Sequence, residues 1–241
     1  MNIRCRITTL AFLLLPAFML NAQNSKIAVS SDQCLSQNLE KESKNMTDFE
    51  AIQNLVVAER MYRVSHRNKE LAECYAPDAS IHTSWQSGGV NTFVGKESVE
   101  AQKSLPIVNR CNPPLIHINQ SSDRAVVKYP MTTTRELMVN GEEAVLTSFM
   151  LLVERIEKIN GEWKIIDMTS INEYDTLAPA IPGVDLKINP DDVKGLRESY
   201  RWLAYTRMNA GGEISQDHEG TDRPESVQKI YDAAYRWLNK K

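Results

Sequence analysis

The sequence predicts an α+β fold: an antiparallel sheet with early helices packed on one face, followed by a helical extension. Three observations predict it. An amphipathic pattern of helical period starts at Asp48 and breaks at His66. Strand-like runs follow, three of them separated by the hairpin signals Asn140-Gly141 and Asn160-Gly161, and tight turns imply antiparallel pairing. Pro179, Pro182 and Pro190 then separate these runs from a second region of helical spacing.

Taken in order, Arg4 and Arg6 precede an apolar run from Leu10 to Leu20 that ends in Asn21-Ala22-Gln23. This is the pattern of a secretory signal peptide, and the run is too short to span a bilayer stably. Residues 1–23 are therefore expected to be removed, giving a periplasmic or secreted protein without membrane insertion. Residues 24–46 are polar and read as a flexible leader. Thr47 or Asp48 offers the N-cap of the first helix, with Glu50 in its first turn, and Asn68 caps a short second helix that ends before Pro77-Asp78. Ala79 to Trp85 alternates as a strand, Gln86-Ser87-Gly88-Gly89 turns the chain, and Gly95 to Leu105 holds a short helix. Further strands are expected at Leu115 to Asn119, Ala125 to Met131, Thr133 to Val139, Ala144 to Lys158 and Glu162 to Ile171. Helical spacing returns from Asp191 to Asn209 and again from Pro224.

The formal net charge is −3, and loss of Arg4 and Arg6 takes it to −5, which argues against a nucleic-acid partner. Beyond the signal peptide lie three cysteines, Cys34, Cys74 and Cys111, so at most one intramolecular bridge can form; Cys74, beside Leu71 and Tyr75, reads as a buried small hydrophobe. The scattered histidines give no metal-ligand spacing, and no phosphate-binding glycine loop is present.

The segment from Asp48 to Ser80, the strand Leu115-Ile116-His117-Ile118-Asn119 and the final Gly161-Glu162-Trp163-Lys164-Ile165-Ile166 together resemble the SnoaL-like branch of the nuclear-transport-factor-2-like superfamily, over roughly Thr47 to Ala178. The resemblance implies a cone: a strongly curved sheet, closed on one side by helices, around an internal cavity. Residues 47–178 would form this domain and 179–241 a connector and helical extension. The extension is similar to a tail on some SnoaL-like proteins through Ser199-Tyr200-Arg201-Trp202-Leu203 and Asp222-Arg223-Pro224.

Ile52, Leu55, Glu59, Tyr62 and His66 fall on one stripe of the first helix, so three polar side chains share an apolar face. That placement is costly unless the face lines a pocket. A histidine at the helix end equally fits an exposed partner of the helix dipole. His117 points opposite to Ile116 and Ile118 and shares its side with Leu115 and Asn119. SnoaL-like dehydratases and cyclases often carry a functional histidine on this strand, so the resemblance makes His117 the preferred general base; a structural histidine fits the residues equally well. His82 shares a polar face with Ser80 and Ser84. Arg155 and Asp167 alternate with apolar neighbours, and if buried they must pair, to anchor a ligand or to brace the sheet. SnoaL-like dehydratases commonly have an aspartate near the end of the first helix. This chain has Ser65, His66 and Arg67 there, which leaves proton transfer to His66.

The sequence reading is thus an exported enzyme that performs elimination (dehydration) or isomerisation on a small, largely apolar, carbonyl-bearing substrate, with no cofactor and no metal. His117 removes a proton, Tyr62 stabilises the enolate and His66 assists the leaving hydroxide, while His82, Glu59, Arg155 and Asp167 contact substrate. Two alternatives stand beside it. One is a non-catalytic protein that holds an apolar ligand in the cavity or forms a homodimer through the open sheet face. The other is an epoxide-opening hydrolase, for which Arg155 and Asp167 are the suggestive residues.

Overall fold

The computed structural model describes residues 46–95 and 107–240. The expected signal peptide, nearly all of the leader and, apart from Gly95, the helix expected at Gly95 to Leu105 lie outside them. Helix α1, Asp48–Val64, opens with a capping box: the Glu50 amide donates to Thr47 Oγ1 at 3.3 Å, and Glu50 Oε2 accepts from the Thr47 amide at 2.8 Å. Its first turn is anchored to the sheet because Asp48 Oδ1 accepts from Lys158 Nζ at 2.5 Å and Trp163 Nε1 at 2.9 Å. The helix stops at His66, whose φ of 57° redirects the chain into α2, Asn68–Glu73.

Among the described residues seven strands follow: β1, Tyr75–His82; β2, Ser87–Gly89; β3, Ile107–Cys111; β4, Leu115–Ile118; β5, Arg124–Val139; β6, Glu142–Ile159; and β7, Glu162–Pro179, with α3, Val90–Val94, after β2. Asn140 and Gly141 (φ 51° and 86°) and Asn160 and Gly161 (φ 52° and 87°) make the β5–β6 and β6–β7 turns. Positive φ at both central positions is what type I′ hairpins require, and asparagine and glycine supply it with least strain. The sheet order is β2-β1-β7-β6-β5-β3, with β4 also on β5.

The sheet departs from the expected antiparallel arrangement at one junction, since β1 runs parallel to β7. These strands are far apart in sequence and joined by no tight turn, so hairpin signals do not govern their direction. Nor does β5 divide near Met131 as expected. The Pro130 carbonyl accepts from the Asn112 amide at 3.0 Å, so the missing N–H of Pro130 faces the gap between β4 and β3 and costs the β5–β6 ladder nothing. Register shifts along β6–β7 at Phe149/Met150 and Arg155/Ile156 bend the long strands. Around the resulting concave face Tyr129, Leu152, Ile156 and Met168 pack with Ile52, Val56 and Leu71. A curved sheet closed by N-terminal helices is the α+β arrangement anticipated from the sequence.

The extension packs back on this sheet. Gly195, at φ 83°, interrupts the helix expected from Asp191, leaving two 3₁₀ turns, Pro190–Val193 and Glu198–Tyr200, before α4, Arg201–Asn209. Asp175 of β7 caps α4: its carboxylate accepts from the amides of Trp202 at 3.0 Å and Leu203 at 2.7 Å. Helix α5, Pro224–Leu238, lays Val227, Ala234 and Leu238 over Val126, Val153 and Ile171 on the convex face. That part of the face, expected to be open for a homodimer, is covered by the chain itself. Cys74 and Cys111 form no disulfide among the described residues, and burial pushes the Cys74 thiol up to about 12. Among the described residues no helix is long and apolar enough to cross a membrane.

Candidate functional site

The floor of the concave face is a buried polar network. Ile52, Val56, Glu59 and Arg60 are the buried side chains of α1, so two charges occupy positions where an amphipathic helix ordinarily places apolar residues. Glu59 is 0% exposed and pairs with Arg60, which is 5% exposed and also reaches the sulfur of Met168 at 3.5 Å. Tyr75 donates to Glu59 at 2.5 Å, and Tyr129 donates to Glu154 at 2.8 Å. Burial opposes the charge on Arg60, but Glu59 and the two phenols overcome it and hold the guanidinium's pKa above its ordinary value. Among the described residues Glu154 forms no ion pair, and the one hydrogen bond to its carboxyl is from Tyr129. Burial, followed by the charge of Glu59, pushes it up to about 8.

Above this floor lies a cavity of about 410 Å³, large enough for a small-molecule ligand. Arg60, Arg63 and Val64 of α1 and His66 just beyond it form one side, with Leu71 of α2. The segment after β1 adds Thr83, Ser84 and Trp85, and α3 adds Phe93. Trp85 and Phe93 stack at 5.5 Å between centroids, with the Arg63 guanidinium 3.7 Å from the Phe93 ring centroid. Burial, then the neighbouring charge of Arg60, lowers Arg63 to about 10, and its side chain donates to the Phe93 carbonyl at 3.4 Å.

The sheet supplies the opposite wall in paired rungs. Arg135 lies across from Leu146, Thr133 from Ser148, and Met131 from Met150, and all six line the cavity. The last wall comes from beyond the sheet, where α4 contributes Leu203 and Arg207. Four arginines and one histidine thus border the cavity, and among the described lining residues there is no carboxylate. Glu59, beneath the floor, forms its ion pair with Arg60.

Of the residues expected to form a site, only His66 stands in this wall. Glu59 lies beneath the floor as the counter-ion of Arg60, and Tyr62 packs at the edge of the core with Arg67 4.8 Å from its ring centroid. His117 is exposed on the convex face, edge-on to Tyr235 of α5 at 5.4 Å, so the expected joint cavity of Tyr62, His66 and His117 does not form. Ile116 and Ile118 take the core side of β4, and alternation sends His117 the other way. His82 is likewise exposed. Arg155 and Asp167 pair at 2.9 Å, Asp167 also accepts from Ser80 at 2.6 Å, and Arg155 lies 5.8 Å from the Trp237 ring centroid. They brace strand to strand and sheet to α5, which removes the pair from any epoxide-opening site. Sequence reasoning missed Arg60, Arg63, Arg135 and Arg207.

Comparison with known proteins places the chain beside fungal relatives. It is 29% identical over 186 residues to pea pathogenicity protein 2 of Fusarium vanettenii, covering 73% of this chain and 79% of that protein. It is 26% identical over 194 residues to an uncharacterized protein of Emericella nidulans, covering 75% and 81%. No family model matches. Similar solved structures include a type 2 hexachlorocyclohexane dehydrochlorinase (14% identity, 61% of this chain and 99% of that one, TM-score 0.46). Another is an NTF2-like protein with a cystatin-like fold from Novosphingobium aromaticivorans (13% identity, 56% and 87%, TM-score 0.39).

Proposed function

We propose that this chain is an exported small-molecule enzyme that moves a proton next to a substrate carbonyl, leading to elimination (dehydration) or isomerisation without a cofactor. One observation carries the reading: His66 and Arg63, three residues apart at the end of α1, share the wall of a 410 Å³ cavity. Imidazole is the side chain suited to accept and return a proton near neutral pH. Arg63 supplies N–H donors already withdrawn from water, and such donors stabilise a developing enolate oxygen more than solvated ones do. The hydroxyls of Ser84 and Ser148 line the same space and orient polar substituents. His117, exposed behind the sheet, has no part in this scheme.

The test is turnover of β-hydroxy carbonyl compounds by the purified chain and by His66→Ala. Loss of about two to four orders of magnitude in kcat is expected for a positioned acid/base group. Unchanged turnover would remove His66 from the mechanism. A second reading, a non-catalytic ligand carrier, is favoured by the lack of a second near-neutral proton donor: among the described lining residues there is no carboxylate, cysteine or tyrosine. It predicts ligand-induced stabilisation with no chemical change.

A further inference from the structure

The charges of the cavity wall are graded along the sheet. Consecutive inward positions of β5 are Arg135, Thr133 and Met131, facing Leu146, Ser148 and Met150 of β6. Over roughly 13 Å of strand the sheet side chains therefore pass from cationic through hydroxyl-bearing to apolar, and the Arg60 guanidinium that lies 3.9 Å from the Met131 sulfur is already paired with Glu59. At the cationic end a second guanidinium, Arg207 of α4, joins Arg135. The Arg135 Nε atom is buried and has no hydrogen-bond partner among the described residues. Burial, then the charge of Arg207, lowers the pKa of Arg135. Arg207 directs its Nε to the Glu213 carbonyl at 3.1 Å and meets no carboxylate among the described residues. Two cations held together this way repel each other, and a buried donor left unpaired is costly. An anion between them relieves both.

We propose that the cavity takes a carboxylic acid with an elongated apolar body, its carboxylate held by Arg135 and Arg207 and its body running toward Met131 and Met150. Guanidinium groups bind carboxylates through paired N–H donors. Phosphate is the poorer fit, because no glycine lies among the described lining residues and so no cradle of backbone amides is built there. The inference rests on the cavity being the site of the proposed reaction, and it narrows the substrate from an apolar carbonyl compound to an acid.

The experiment is calorimetric titration of the full chain with cinnamate and 4-phenylbutanoate, their primary amides, and phenyl phosphate. Each acid is expected to bind at least about tenfold more tightly than its amide, the usual scale for a charge-assisted bond. Arg135→Gln and Arg207→Gln should each reduce acid affinity roughly tenfold while amide affinity, which reports that the cavity is intact, stays unchanged. Equal affinity for acids and amides, no binding of either acid, or tighter binding of phenyl phosphate overturns the proposal. Titration of His66→Ala separates the two claims. If turnover survives that change while acids still bind through Arg135, the catalytic reading falls and the acid site stands; if turnover needs His66 but acids bind no better than amides, only the acid site falls.

Discussion

On the convex face of the sheet Arg155 meets Asp167 at 2.9 Å and Arg124 meets Glu157 at 3.5 Å, while Lys128 lies 4.8 Å from the Tyr231 ring centroid on α5. On the concave face Arg63, Arg135 and Arg207 border one cavity and meet no carboxylate among the described residues. Both faces carry arginine, from β5 and β6 on the convex face and from α1, β5 and α4 on the concave one, and their charge partners differ. Cations answered by carboxylates and aromatic rings fix α5 to the sheet and the strands to each other. Among the described residues these cavity arginines have only rings and carbonyls for partners, Phe93 for Arg63 and the Glu213 carbonyl for Arg207, which do not neutralise a desolvated charge as a close counter-charge does. Their arrangement is explained by a ligand that brings the missing charge.

The comparison can be broken most severely at the floor, where the concave face does contain one matched pair. Glu59→Ala leaves Arg60 buried without its carboxylate, and stability should fall by about 3–5 kcal/mol in urea denaturation. A loss below about 1 kcal/mol would mean that Tyr75 and Tyr129 compensate the guanidinium without Glu59.

Glu154 sharpens the contrast through pH. Its folded pKa lies at about 8 against an ordinary 4.5, so between these values the folded state holds more proton than the unfolded one. The stability this confers is complete below pH 4.5 and is lost as pH rises through about 8. The slope approaches about 1.4 kcal/mol per pH unit across the window. Glu154→Gln should flatten this slope in denaturation series at several pH values, whatever it does to absolute stability. A wild-type profile that is already flat between pH 5 and 8 would contradict the burial assigned to this carboxyl.

The smallest effect belongs to the convex face. His117→Ala removes one exposed ring that touches Tyr235, and stability should change by no more than about 1 kcal/mol, with turnover within about twofold of wild type. A large loss of turnover would place chemistry on the face that bracing explains here.

Much of the fold was legible because its signals are local. Asn140-Gly141 and Asn160-Gly161 adopt the paired positive φ that the hairpins demand, Thr47 and Glu50 close the capping box, and Pro224 starts α5. The parallel β1–β7 pairing was not legible, since it joins the two ends of the domain without a turn. The site was legible in part. The helix stripe through Glu59 and His66 pointed toward the cavity, yet it did not include Arg60 and Arg63, which line it. A tighter reading of Ile52, Val56, Glu59, Arg60 and Arg63 as a continuous run at helical spacing would have drawn attention to charges on the buried side. For His117, strand alternation gave the correct opposition to Ile116 and Ile118 but could not say which side was the cavity. That is settled by α5, a hundred residues later in order of magnitude.

Leu203 and Arg207 stand in the cavity wall although they follow the last strand, and α4 is held in place by Asp175 of β7. Synthesis runs from the N-terminus, so a nascent chain that has emerged through Pro179 already holds all seven strands while the chamber still lacks one side. Affinity for an acid therefore arrives last, after the sheet has been made, and each molecule that can hold the ligand is one whose translation has passed α4.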